Sequence, residues 1–159
     1  MKMIKFYDTS SLLLKTDTLF EEDEKFAISS ITLEELEHIK TAANKDADVK
    51  YAARKLTHIL DTHIGEYDVE IYSENKDKPI IKAGVAINND AKILACALSY
   101  AKEKECEDEI VFITNDICLK HLARLFFDNV ESIDEDHDDY LGFKDITMSE
   151  EQMTAFYSN

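Results

Sequence analysis

The chain has 159 residues, is 45% hydrophobic and 33% charged, and carries a formal net charge of −16. This suits one domain with a sizeable core and a heavily charged surface, and it excludes a general polyanion binder. No run of roughly eighteen apolar residues marks a membrane span, and Met1-Lys2-Met3 leads into a short strand-like run rather than a secretory signal.

In chain order, residues 3–7 read as a buried strand and residues 10–15 as a short helix. Residues 25–31 (KFAISSI) are a second strand. Thr32 is placed as the cap of a helix whose apolar positions are Leu33, Leu36 and Ile39 or Ala43. Asp46 opens another helix, with Val49, Ala53, Leu56 and Leu60 on one face. Residues 67–72 form a short β run. Residues 90–104 carry the strongest helical pattern, with Ile93, Leu94, Ala97, Tyr100 and Ala101 as the stripe and Asn89 as N-cap. Residues 110–114 are a third buried strand. The helix after it turns Leu119, Leu122, Ala123 and Phe126 inward, and residues 130–133 add an edge strand. Ser149-Glu150-Glu151-Gln152 is a capping box, with Met148 and Met153 as its staple, so a terminal helix is expected over residues 149–157.

Strands alternating with helices predict an α/β fold: a sandwich around a central, mostly parallel sheet of four or five strands. One proline and three glycines leave no evident linker, so residues 1–159 read as a single domain. The cysteines, Cys96, Cys106 and Cys118, match neither a disulfide framework nor a zinc ribbon. A reduced thiol at Cys96 on an apolar helix face points to the cytoplasm. Residues 103–159 hold 16 acids and 4 bases. A polyanionic substrate therefore belongs on the first two-thirds of the chain. Within the acidic part, residues 134–139 depart from a calcium loop at the positions that need Gly and Glu, and read as a solvated loop.

Four acids have informative positions. Asp8 ends the first strand, and Asp116 follows the run Ile110-Val111-Phe112-Ile113-Thr114. In open α/β sheets, ligands bind outside the carboxyl ends of strands. Two neighbouring carboxylates there repel, and a divalent cation is the usual compensation. Asp90 opens the strongest helix. With Leu36 at the centre of its stripe, Glu34 lies about 160° away and faces water, whereas Glu35 lies about 100° away, at the margin of the buried face. Glu37 has the same offset on the other side, so the wheel alone leaves it open.

These residues carry a resemblance. Phe6-Tyr7-Asp8-Thr9-Ser10, Ile31-Thr32-Leu33-Glu34-Glu35-Leu36, Asn89-Asp90-Ala91-Lys92-Ile93-Leu94-Ala95 and Phe112-Ile113-Thr114-Asn115-Asp116 resemble, in order, the acidic motifs of PIN-domain nucleases. The tail, Tyr140-Leu141-Gly142-Phe143-Lys144-Asp145-Ile146 and Thr147 to Glu151, is similar to the end of the PIN domain of PhoH-like proteins. In that group a P-loop ATPase follows; no P-loop motif occurs in this chain.

The resemblance implies a PIN-like fold and a ribonuclease cutting RNA, with Mg²⁺ or Mn²⁺ as cofactor. It implies Asp8, Glu35, Asp90 and Asp116 as catalytic residues, of which Asp8, Asp90 and Asp116 are metal ligands. Thr9, Ser10, Thr114 and Asn115 would orient the carboxylates, and Lys92 would contact the substrate phosphate. A PhoH-like ATPase domain in cis or trans and a homo-oligomer are left open as partners; no membrane is expected. The alternatives from other classes are a regulatory or RNA-binding module of such an ATPase with little activity, and a DNA-directed 5′-nuclease-like enzyme. Taken singly, Asp8, Asp90 and Asp116 could each be only a helix cap.

Overall fold

The computed structural model describes residues 3–21, 24–43 and 46–133. The acidic stretch at 134–139, the tail that resembles PhoH-like proteins and the helix expected at 149–157 lie outside the described residues.

Five short strands form one sheet: β1 (Ile4–Tyr7), β2 (Phe26–Ser29), β3 (Asp68–Glu70), β4 (Ile110–Ile113) and β5 (Val130–Glu131). Their order is β3-β2-β1-β4-β5, and every pairing is parallel. The chain builds outward from β1 in one direction to β3, then returns to the other side of β1 for β4. The reversal puts a topological switch point at the carboxyl ends of β1 and β4, where open α/β sheets bind ligands.

Successive side chains of a strand point to opposite faces, and both faces here are covered. Phe6, Ala27, Ile110 and Phe112 join one core cluster. Tyr7, Phe26, Ile28, Val111 and Ile113 join the other. That is why the strands read as continuous apolar runs instead of alternating ones. The helices are α1 (Thr9–Lys15), α2 (Ser30–Thr41), α3 (Ala47–Thr62), α4 (Lys78–Lys82), α5 (Asn89–Glu103) and α6 (Ile117–Ala123). Leu12 and Leu13 of α1, Leu36 and Ile39 of α2, and Val49, Ala53, Leu56 and Leu60 of α3 fill the second cluster. The α5 stripe, Cys96 and the α6 residues Leu119 and Ala123 fill the first. Leu122 and Phe126 pack against that cluster half-buried. No helix among the described residues is long and apolar enough to cross a membrane.

Two helix starts differ from expectation. α2 begins at Ser30 because the Ser29 hydroxyl accepts the Ile31 N–H at 3.0 Å and caps the helix earlier than Thr32 would. Thr32 becomes a buried residue of the first turn, and Ile31 takes the core position expected of Leu33, which is 37% exposed. Ala43 lies exposed beyond the helix end. The N-cap of α5 is Asn88, whose side chain accepts from Ala91 N at 2.9 Å, and not Asn89. The register is testable: Asn88→Ala should cost about 1 kcal/mol of stability in urea unfolding, the scale of a lost N-cap. An unchanged urea midpoint would show that the cap lies elsewhere.

Candidate active site

Asp8 immediately follows β1 and is fully buried. A carboxylate cut off from water is tolerated only if its lone pairs find donors. Here the donors come from two strand ends. The Ser11 N–H and hydroxyl reach Oδ1 at 2.9 and 2.6 Å, and the Thr114 hydroxyl reaches Oδ2 at 2.5 Å. The Ser10 hydroxyl lies 3.3 and 3.2 Å from the two oxygens. Asp8 is thereby also the N-cap of α1. Its backbone N–H donates to the Ile113 carbonyl, which the Ser11 hydroxyl also approaches at 2.9 Å, so the exits of β1 and β4 are bound together. Burial still outweighs these donors, and the Asp8 carboxyl is pushed above the usual range.

Asp116 stands half-buried beyond β4. Its Oδ1 accepts the N–H groups of Cys118 and Leu119, capping α6, while its own N–H donates to Thr114 Oγ1 at 3.1 Å. Two of the acids thus serve as helix caps.

Glu35 and Asp90 have different surroundings. Glu35 is 6% exposed on the second turn of α2, whereas Glu34 and Glu37 are exposed. The Thr9 hydroxyl donates to Glu35 Oε1 at 2.5 Å and also lies 3.1 Å from Thr32 Oγ1. Burial pushes the Glu35 carboxyl up to about 7; the hydrogen bonds of Thr9 and Asn89 pull it down, and the charges of Asp8 and Glu34 add to the rise. Asp90, in the first turn of α5, is pushed up to about 8 by burial and then by the charges of Asp116, Asp8 and Glu35. That list shows the four acids to be electrostatic neighbours, although they come from four separate segments. Glu35 Oε2 and Asp90 Oδ1 are buried with no hydrogen-bond partner. Neither residue caps its helix, since Ser29 and Asn88 do.

The polar residues read from the sequence divide. Thr9 holds Glu35, and Ser10 and Thr114 hold Asp8. The Asn115 amide exchanges two bonds with the Ile133 backbone, tying down the chain after β5. Lys92 is half-buried, with its ammonium 5.3 Å from the centroid of the Tyr72 ring. Sequence reasoning overlooked Ser11, and gave Thr32 and Asn89 capping roles in place of their contacts with Thr9 and Glu35. The run of three hydroxyls, Thr9-Ser10-Ser11, at the start of a helix was a signal for Ser11, since these side chains favour such termini.

A hard divalent cation suits this donor set, because carboxylate oxygens are its preferred ligands and two of the oxygens are unpartnered. Among the described residues, however, no three His, Cys, Asp or Glu side chains are gathered tightly enough to hold a metal ion as they stand. Asp8, Asp116 and Glu35 nonetheless all act through their charge on Asp90.

The raised carboxyls link stability to pH. Glu35 and Asp90 have ordinary values of 4.5 and 3.8 and folded values of about 7 and about 8, so the folded state keeps protons that the unfolded chain has released. Their contribution to stability is fully present below the ordinary values and is lost as pH rises through the folded ones. In metal-free buffer the melting temperature should therefore fall between about pH 5 and about pH 8. Asp90→Asn should flatten the upper part of that fall and melt above the wild type at the alkaline end. A wild-type melting temperature that rises over this interval would mean that the acids are paired with cations in the folded state.

Comparison with known proteins gives the same answer as the motifs. No curated protein matches the chain. Residues 6–133, most of the sequence and all four acids, match a family model described as a PIN domain. The chain belongs to the PIN-domain family, whose members are generally metal-dependent nucleases.

Proposed function

We propose that the protein is a ribonuclease that hydrolyses phosphodiester bonds of single-stranded RNA, with Mg²⁺ or Mn²⁺ held by Asp8, Asp90 and Asp116. The observation that carries this reading is Asp90. It is a carboxylate with no cap to make and an unpartnered buried oxygen, opposed by three other carboxylates at the switch point of a parallel sheet. Such an arrangement works against folding and is relieved by a cation. The choice of RNA and of these two metals follows the resemblance to PIN-domain ribonucleases, and the acidic surface favours a substrate recruited through local positive charge.

When bound, the cation would lower the pKa of its water and offset charge on the phosphate oxygens. The chain's own residues have separable tasks. Asp8, held by Ser10, Ser11 and Thr114, is a fixed anchor whose orientation does not depend on substrate. Asp116, set by the first turn of α6, faces the same space from β4. Glu35, oriented through Oε1 by Thr9 and with Oε2 unpartnered, is the group to accept a proton from the attacking water. Its carboxyl at about 7 suits a base at neutral pH.

Cleavage of a mixed panel of single-stranded RNA and DNA, with and without Mg²⁺ or Mn²⁺, tests the reading. Asp90→Asn is the better inactivating control than Asp8→Asn, because Asp8 also carries the α1 cap. Asp90→Asn should abolish cleavage while keeping the fold. Glu35→Gln should lose roughly a hundredfold or more, the scale of a positioned acid–base group. Glu34→Gln should stay within a few-fold. Equal losses in the two glutamate variants would refute the role of Glu35, and metal-independent turnover would refute the metal. Divalent cation should also stabilise the wild type, by about 2.7 kcal/mol at a hundred times Kd, and Asp90→Asn should lose most of that gain. An intact metal response without cleavage of any substrate would favour a regulatory module instead.

A further inference from the structure

Five lysines in the described residues, Lys5, Lys25, Lys40, Lys55 and Lys76, are paired with Glu24, Asp68, Glu37, Asp17 and Glu70. Lys92 and Lys120 are half-buried, and each is held by a neutral group. The Lys92 ammonium lies over the Tyr72 ring at 5.3 Å. Tyr72 is anchored at its backbone, whose N–H donates to Ser30 Oγ at 2.8 Å, and at its ring, whose hydroxyl donates to the Asp77 carboxylate and whose face Lys92 covers. The Lys120 ammonium donates to Ser132 Oγ at 2.8 Å, and that hydroxyl donates to the Thr114 carbonyl at 2.9 Å. An aromatic ring or a hydroxyl holds an ammonium in place without neutralising it. In a chain of net charge −16, two cations kept in this way need a reason.

Their placement supplies one. Tyr72 follows the carboxyl end of β3, and Ser132 follows β5. Because all pairings are parallel, these ends lie on the same edge of the sheet as Asp8 and Asp116. Along that edge the order runs from Tyr72 and Lys92 on the β3 flank, past the acids over β1 and β4, to Ser132 and Lys120 on the β5 flank. With strands about 4.8 Å apart, the outer two of five are roughly 19 Å apart, a length that spans several nucleotides of a single strand.

We propose that a single-stranded nucleic acid lies across the carboxyl edge of the sheet, perpendicular to the strands. Lys92 and Lys120 grip backbone phosphates on opposite sides of the bond that faces the acids. This deepens the proposed function and rests on it. Tyr72 is a positioning residue that acts through Lys92, and Ser132 does the same for Lys120. The two lysines offset phosphate charge where the acidic surface would otherwise repel it, and they do so on both flanks, so a strand is held taut past the acids and not merely attracted.

The test is equilibrium binding of a labelled single-stranded RNA oligomer and of a dinucleotide, by fluorescence anisotropy in calcium buffer over a range of salt. Lys92→Gln and Lys120→Gln should each weaken the oligomer several-fold and reduce the slope of log K against log salt by about 0.7. The double variant should lose about twice that slope. The exposed Lys102→Gln is the control and should change neither. Tyr72→Leu should behave like Lys92→Gln, whereas Tyr72→Phe, which keeps the ring, should bind like the wild type. A dinucleotide, too short to reach both flanks, should show no additional loss in the double variant over the more damaging single one. Lysine variants indistinguishable from Lys102→Gln, or a wild type that does not bind the oligomer, would overturn the path. Cleavage by a wild type whose lysine variants bind normally would remove the path and leave the proposed activity standing. Lysine-dependent binding without cleavage by the wild type would do the reverse.

Discussion

The burial of one carboxylate governs the architecture of this edge. Asp8 sits where β1 ends and where the chain order of the sheet reverses, and none of it is exposed. A charge in that position must be surrounded by donors or expelled. The donors are Ser10 and Ser11 from the start of α1 and Thr114 from the end of β4. Satisfying Asp8 therefore fixes the direction of α1 and clamps β1 to β4. It also brings the segment carrying Asn115 and Asp116 to the same place. Thr114 completes the connection by accepting the Asp116 N–H. The site is a consequence of how the central strands are closed, so its geometry is as rigid as the core beneath it.

That closure leaves two acids without structural work. Asp8 and Asp116 each cap a helix, and backbone and hydroxyl donors offset part of the desolvation cost of Asp8. Glu35 lies in the second turn of α2 and Asp90 in the first turn of α5, helices that Ser29 and Asn88 already cap. Each keeps one buried oxygen with no partner. A carboxylate retained in a dry, like-charged setting without a fold role points to chemistry. Helix capping is therefore a complete account of part of the acidic set and no account of the rest.

The strands and the α3 face were legible in the sequence because burial on both sides leaves unbroken apolar runs and burial on one side leaves a helical period. Asp8 and Asp116 were legible as strand-end acids for the same reason. The entry to α2 was not, because Ser29, Ser30 and Thr32 are all acceptable caps. Choosing among them depends on where β2 stops pairing, which is set by its register with β3 through Ser29 and Glu70. The adjacent asparagines Asn88 and Asn89 pose the same ambiguity, resolved only by the tertiary contact of Asn89 with Glu35. Glu35 itself could be favoured over Glu34 from the wheel because Leu36 was a correct centre for the stripe, even though Leu33 was not part of it. The contact between Asp8 and Thr114 spans 106 residues, and nothing local in the chain encodes it.

An acidic protein that works on a polyanion needs its positive charge concentrated and unpaired, since a lysine beside a carboxylate offers a phosphate little. Five of the described lysines pair with carboxylates, for small individual gains. The lysines on the two flanks of the acidic edge depart from this pattern, and each departs in a different way: Lys92 uses the face of a ring, Lys120 a hydroxyl that in turn binds the strand carrying Thr114. The second arrangement ties Lys120 to the strand end that carries Thr114. Lys120 donates to Ser132, Ser132 donates to the Thr114 backbone carbonyl, and the Thr114 hydroxyl separately donates to Asp8. In the proposed path, a phosphate that draws on Lys120 is therefore registered against the same strand end that orients the buried anchor of the site. Lys92 is held instead by the face of the Tyr72 ring, so the two flanks are not equivalent.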